Sequence, residues 1–311
     1  MRAAVLHEFK SPFKIEDVEL KNLQGVKVRV KYTAICGRDV VIWKGGFRNL
    51  KLPLILGHEV FGVYQGKPVA IFPGIYCGKC EYCSEGKENL CENYVILGET
   101  VPGGYAEEVY VPERNIIPLP DAEIEKYAAA VEPLATIIHA VSLTNLKRGD
   151  KVLVTGASGG VGIHAIEYLK LLGAEVYGLT SKPEVVKEAG GIPVTREELK
   201  NLKFDHVFEM VGSLTINDSL RSLKKEGTLV LIGNIEGEPI TLTRPALTIM
   251  RQQRIVGSAA YTPKEFKVAI DLVASGKIKP FYKIFKLEEI NEAYREMIER
   301  RQIGRVILKI D

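Results

Sequence analysis

Four cysteines stand close together at Cys77, Cys80, Cys83 and Cys91, with the spacing C-x-x-C-x-x-C-x7-C. Two-residue gaps let successive sulfurs converge on one ion, and four thiolates complete the tetrahedron that zinc adopts. No coordination position is left open, so an ion held there is structural. It would tie down a loop of Gly78, Lys79, Glu81, Ser84, Glu85 and Lys87, which has little core of its own. Free thiols, disulfides and an iron–sulfur cluster are the alternatives. The spacing, in a chain whose first residues show no signal-peptide pattern and which is therefore expected in a reducing compartment, favours zinc over each.

A second set of donors is scattered. Cys36 precedes Gly37-Arg38-Asp39, His58 lies in Gly57-His58-Glu59-Val60-Phe61-Gly62, and Glu132 lies in Val131-Glu132-Pro133-Leu134. Singly, these read as a buried cysteine, a histidine in a turn and a glutamate capping a helix. Together they offer sulfur, nitrogen and oxygen, and a catalytic zinc needs three such ligands with one place open.

The third chemical signal is Gly156-Ala157-Ser158-Gly159-Gly160-Val161-Gly162. Glycines let the chain turn sharply and approach a pyrophosphate, and the helix that follows supplies free N–H groups and a positive dipole end. About 20 residues beyond such a loop, a carboxylate would hold the ribose hydroxyls of NAD. This chain has Thr180-Ser181-Lys182 there. Hydroxyls and an ammonium suit a 2′-phosphate, so NADP is favoured over NAD, although Glu184 lies close by. A tight turn with no ligand is the bland alternative for the loop, and a solvated surface lysine is the one for Lys182.

These residues need elements to hold them. Val26-Lys27-Val28-Arg29-Val30 alternates with the period of a half-buried strand. Turn residues recur through the first 120 positions, which predicts a rolled antiparallel sheet. The grammar changes near Asp121. A helical, Ala-rich stretch from Ile124 to Leu146 leads to the strand Lys151–Thr155, the glycine loop and a helix from about Gly160 to Leu172. Ala174–Leu179, Phe204–Phe208 and Gly227–Gly233 supply further strands, and strands alternating with helices predict a parallel sheet. Gly233, closing the last of these, is counted with the cofactor loop. The stripe Phe266, Ala269, Ile270, Val273 and a second one through Ile290, Ala293, Tyr294, Met297, Ile298 read as helices packed on a core.

Composition narrows the function classes. The 311 residues suffice for two domains, and hydrophobic content is 46%. Lys plus Arg number 42 against 39 acidic residues, a net charge of +3, which points to neither nucleic acid nor a membrane surface as partner. No apolar run approaches the roughly 18 residues of a membrane span. Without a signal-peptide pattern at Met1, the cytoplasm is the expected compartment.

The order Cys36, Gly57-His58-Glu59, four-cysteine lobe, Glu132-Pro133-Leu134, glycine loop resembles the zinc-dependent medium-chain alcohol dehydrogenases over nearly the whole chain. The resemblance implies an α/β protein, with a GroES-like β domain at 1–136, a Rossmann doubly wound parallel-sheet domain at 137–256, and a segment at 257–311 that completes the first. It implies two zinc ions per chain. One would be catalytic, on Cys36, His58 and Glu132, with Glu59 able to exchange onto it. The other would be structural, on Cys77, Cys80, Cys83 and Cys91. It places Gly156, Ser158, Gly159, Gly160, Val161, Gly162, Thr180, Ser181, Lys182 and Gly233 on the dinucleotide. The implied activity is hydride transfer between NAD(P) and a small alcohol or carbonyl substrate, in a homodimer or homotetramer, with Ile240–Leu242 as a possible pairing edge.

Two departures stand out. The family often has Ser or Thr two residues after the zinc cysteine and His three further on, as a proton relay, where this chain has Arg38 and Val41. Arg38 is expected either on a phosphate of substrate or cofactor, or in a salt bridge with Asp39 or another acid. Thr136 and His139 are candidates for substrate contact or for helix packing. The segments Cys36-Gly37-Arg38-Asp39 and Val154–Ile166 also resemble archaeal acryloyl-coenzyme A reductases and quinone oxidoreductases of the same superfamily. An enoyl-thioester or quinone reductase without catalytic zinc is therefore the rival reading, and an NADPH-binding protein without catalysis is a second.

Overall fold

The computed structural model describes residues 1–20, 25–47, 49–234 and 237–311. Arg48, in the loop from Trp43 to Leu50, lies outside the described residues. The chain divides into two compact units, Met1–Glu132 with Thr262–Asp311, and Pro133–Tyr261. The first break falls inside the helix Ile124–Ser142, next to its internal Pro133.

The first unit is built on a seven-stranded sheet. Its main path runs Tyr282–Lys286, Arg305–Lys309, Val26–Ile35, Glu59–Tyr64, Lys67–Ile71 and Ile116–Pro118, with Glu108–Val111 also paired to Val26–Ile35. Val28 and Val30 are buried while Lys27 and Arg29 are exposed, so the predicted period-two alternation is realised. They join Leu6, Ile35, Leu56, Val60, Ile71, Tyr105, Val306 and Leu308 in one apolar core. Each fully buried side chain of this size contributes about 1.5–3 kcal/mol. The last strand, Arg305–Lys309, lies antiparallel against Val26–Ile35, with Val306 opposite Ile35. The chain's end is thereby stitched beside the strand that leads to Cys36.

A short antiparallel pair, Gly74–Ile75 with Val95–Ile96, closes the base of the loop that carries the four cysteines. Both tail helices form where the stripes predict. Pro263–Ala274 buries Phe266, Ala269, Ile270 and Val273, and starts on a reciprocal cap in which Thr262 accepts from the Glu265 N–H. Ile290–Ile298 buries Ile290, Ala293 and Tyr294.

The second unit holds a six-stranded, wholly parallel sheet in the order Ile192–Val194, Glu175–Leu179, Lys151–Thr155, Phe204–Glu209, Leu223–Leu231, Arg254–Gly257. Numbered within this unit the order is 3-2-1-4-5-6, the doubly wound dinucleotide-binding topology, whose order reverses between the first and fourth strands. The sheet ends at Arg254–Gly257. Ile240–Leu242, expected as a possible edge, forms no strand. Isoleucine, threonine and leucine suit a strand locally, but the outer side of Leu223–Leu231 is taken by Arg254–Gly257.

Candidate active site and metal centres

Cys36 follows directly on the Val26–Ile35 strand and stands at the start of the helix Gly37–Trp43. Glu59 pairs with Ala34 across the sheet, so strand register brings His58 beside Cys36. Glu132 arrives from the helix Ile124–Ser142. Cys36, His58, Glu59 and Glu132 each offer one ligand atom, all within 4.8 Å of one another. The last three are buried and Cys36 is half-buried.

Three neighbours organise this cluster. Asp39 is fully buried and accepts from the Cys36 N–H at 2.9 Å and from the Tyr105 hydroxyl at 2.9 Å, while its other oxygen lies 3.2 Å from His58 Nδ1. With Nδ1–H turned to Asp39, His58 Nε2 presents its lone pair to the cluster. Arg305, also buried, donates to Glu59 Oε2. The other oxygen, Glu59 Oε1, has no hydrogen-bond partner among the described residues and lies 3.9 Å from His58 Nε2.

The electrostatics favour a cation here. Burial first, and then the Glu59 carboxylate, push Glu132 up to about 8. Burial likewise raises the Cys36 thiol. For His58, burial works downward but the Asp39 carboxylate outweighs it and raises the imidazole well above its ordinary value. Two carboxylates and a thiol in low dielectric repel as anions, and a divalent ion relieves that repulsion.

Arg38 does not pair with Asp39. Its Nε and Nη2 donate to Glu99, which is buried, and its guanidinium lies 4.6 Å from the ring centre of Phe47. The acid is 61 residues away in sequence, and Asp39 is already occupied by His58 and Tyr105. Nothing local marks Glu99 or Arg305 as partners of the site. Asp39 carries a faint signal, its position three residues after Cys36.

In the lobe, Cys77, Cys80, Cys83 and Cys91 again bring ligand atoms within 4.8 Å of one another. None of the four is joined in a disulfide, and the Cys77 and Cys83 sulfurs lie 4.0 Å apart. Backbone N–H groups turn toward the sulfurs: Cys80 to Cys77 Sγ at 3.3 Å, Lys79 to the same atom at 3.5 Å, and Cys77 to Cys91 Sγ at 3.2 Å. The amides of Lys79 and Cys80 lower the Cys77 thiol to about 6, while burial pushes the Cys83 thiol up to about 12. Such donors stabilise thiolates, the form that binds metal.

In the second unit the glycine loop joins the strand Lys151–Thr155 to the helix Gly160–Leu171, with Gly159 at the helix cap. Gly156 has φ +59°, and a Cβ on Gly162 would stand 2.3 Å from the Gly156 carbonyl oxygen, so neither turn nor close packing tolerates a side chain. The Thr180 hydroxyl donates to Ser158 Oγ at 3.0 Å, and the Lys182 N–H to Thr180 Oγ1 at 2.9 Å. Strand and loop are thus linked at the end of Glu175–Leu179. Gly233 sits against the Met210 carbonyl, where a Cβ would come within 2.5 Å. Thr136 and His139, both half-buried, lie further along the Ile124–Ser142 helix.

Residues 23–121 match the family model described as the alcohol dehydrogenase GroES-like domain, and residues 160–275 match the one described as zinc-binding dehydrogenase. The chain is 33% identical to an acryloyl-coenzyme A reductase from Metallosphaera sedula, over 99% of each chain. It is 31% identical to an alcohol dehydrogenase from Geobacillus stearothermophilus, over 100% of each. The structure of a thermostable alcohol dehydrogenase from Pyrobaculum aerophilum superimposes with a TM-score of 0.91 at 28% identity, covering 99% of each chain. Donor sets, doubly wound sheet and full-length likeness agree, and the chain belongs to the zinc-type medium-chain dehydrogenase/reductase superfamily, as an NAD(P)-dependent oxidoreductase.

Proposed function

We propose that this enzyme transfers hydride between NADP(H) and a small alcohol or carbonyl compound at a zinc site formed by Cys36, His58 and Glu132, with a second, structural zinc on the four-cysteine lobe. The observation that carries the reading is the convergence of Cys36, His58, Glu59 and Glu132 on one point, their ligand atoms within 4.8 Å. Zinc supplies Lewis acidity to a substrate oxygen, and the nicotinamide ring gives or takes the hydride. The chain's own residues do the rest. Asp39 and Tyr105 hold the His58 ring in one orientation. Arg305 neutralises Glu59 and keeps that carboxylate beside the cluster, close enough to exchange as a ligand.

NADP is supported by the hydroxyls and ammonium of Thr180, Ser181 and Lys182 directly after the strand Glu175–Leu179. A homodimer or homotetramer is supported by the free edge strand Arg254–Gly257, beside which Ile255, Ile249 and Met250 are 41%, 75% and 80% exposed. Cysteines gathered as metal donors rather than joined as disulfides favour a reducing compartment, the cytoplasm. No helix among the described residues is long and apolar enough to cross a membrane.

One observation favours the reduction of a conjugated thioester instead. Arg38, two residues after Cys36, is locked to Glu99 where the family usually has a relay hydroxyl, and the acryloyl-coenzyme A reductase from Metallosphaera sedula is among the relatives. The deciding experiment supplies the zinc-loaded enzyme with NADP+ and primary and secondary alcohols, and with NADPH and either aldehydes or an enoyl thioester. Turnover of alcohols and aldehydes that fails after Cys36→Ala or Glu132→Ala supports the proposal. Turnover of the enoyl thioester alone, retained in both variants, overturns it.

A further inference from the structure

Glu209 ends the strand Phe204–Glu209 and is fully buried. Its side chain accepts from five donors: the hydroxyls of Thr155 and Thr215 and the N–H groups of Val211 and Gly212 on Oε1, and the Ser219 hydroxyl on Oε2. Its carbonyl accepts from the N–H groups of Ile232 and Gly233. An ionised carboxylate suits this arrangement because every one of these partners donates.

The partners are not scattered through the unit. Thr155 ends the first strand of the parallel sheet and directly precedes Gly156. Val211 and Met210 pack on Gly156, since a Cβ there would stand 3.2 Å from Val211 Cγ2 and 3.9 Å from Met210 Cβ. The Met210 N–H donates back to Thr155 Oγ1 at 2.9 Å. Ile232 and Gly233 follow the Leu223–Leu231 strand. Glu209 therefore gathers the carboxyl ends of three adjacent strands, and its bond to Thr155 spans the gap where the strand order reverses. In doubly wound sheets that gap is where ligands bind, outside the carboxyl ends of the strands.

We infer that Glu209 is a positioning residue for the dinucleotide: it fixes the glycine loop, the 210–212 turn and Gly233 relative to one another, without touching the ligand itself. The inference rests on the dinucleotide reading of the glycine loop. A buried carboxylate is an expensive way to join strands that already share a hydrogen-bond ladder. Its position among the loops, rather than deeper in the sheet, gives it a use that stability alone would not.

The test uses the full-length, zinc-loaded enzyme. Three variants are titrated with NADPH and with NADH by fluorescence, with Tm and zinc content measured alongside. Glu209→Gln removes the charge. Thr155→Val removes the bond on the loop side. Ser219→Ala removes the bond on the helix side, away from the loop. Glu209→Gln and Thr155→Val are expected to weaken dinucleotide binding about tenfold and to raise the dinucleotide KM in step, leaving the KM of the other substrate unchanged. Ser219→Ala is expected to lower Tm while the dinucleotide Kd stays at the wild-type value. If all three lower Tm and none moves the Kd, Glu209 is a purely structural carboxylate and the inference is wrong. Should Glu209→Gln fail to fold, the contrast between Thr155→Val and Ser219→Ala still decides. A wild-type enzyme that binds neither NADPH nor NADH would instead overturn the dinucleotide reading of the loop, a result distinct from the other failures.

Discussion

Asp39 Oδ1 lies 3.2 Å from His58 Nδ1, and both side chains are buried. The contact keeps Nδ1–H on the Asp39 side, so that Nε2, once a bound ion displaces its proton, is the nitrogen that faces Cys36 and Glu132. Asp39→Asn keeps the shape but removes the charge that steadies the ring. Zinc retention at the catalytic site is expected to fall about 10–100-fold, read by competition with a chelator, while the lobe keeps its ion. Unchanged retention would show that the ring needs no such partner.

Metal stoichiometry separates the two donor sets. Wild type should contain about two zinc ions per chain, Glu132→Ala about one, with the remaining ion on the four thiolates. Elemental analysis of both proteins gives the answer. One zinc in both would remove the catalytic ion from the proposal and favour reduction of conjugated bonds.

Glu99 is buried while the side chain of its partner Arg38 is 43% exposed. Arg38→Ala leaves the carboxylate without its charge partner and is expected to cost about 1–3 kcal/mol of stability. Glu99→Gln in the same background should restore much of that loss, since a neutral amide is cheaper to bury. Denaturant unfolding of the single and double variants measures both, and equal stability of the two would mean that Glu99 is satisfied without Arg38.

Cofactor choice is expected to follow Lys182. A carboxylate there would repel a 2′-phosphate and offer a partner to ribose hydroxyls. In Lys182→Asp the KM for NADPH should rise about tenfold or more, the scale of one charge-assisted hydrogen bond, and the KM for NADH should fall. Steady-state kinetics with both cofactors checks this, and parallel changes in the two would refute a role in discrimination.

Tyr32 and Tyr127 are expected to make the first unit sensitive to alkali. Burial and the hydrogen bond to Glu125 raise Tyr32 from 10.0 to about 12, and burial with the bond to Asp121 does the same for Tyr127. The fold favours the neutral phenol. Between pH 10 and 12 the folded chain keeps protons that the unfolded chain has lost, so this stability is complete below about pH 10 and disappears as pH rises toward 12. Tyr32→Phe and Tyr127→Phe should each flatten the decline of Tm from about pH 9 to about pH 11. Slopes equal to wild type would show that these phenols do not govern it.

By itself the sequence determined the parts whose information is local. Four thiols within fifteen positions, a glycine loop between a short apolar strand and a helix, the alternating strand that begins at Val26, and stripes of apolar residues each state their geometry through spacing, because strand, helix and turn periods are short-range. The pairing of Cys36 with His58 and Glu132 was legible only as a set of suitable donors, and strand register with one helix brings them to a point. Tertiary structure alone decided which acid holds Arg38, that Arg305 reaches Glu59 from 246 residues away, that Arg254–Gly257 forms the edge of the sheet, and that Glu209 gathers three strand ends. A charged or hydroxyl side chain carries no mark of its partner in its neighbours along the chain. Its partner is chosen by which buried groups the packed sheet leaves within reach, and burial then makes each pairing obligatory.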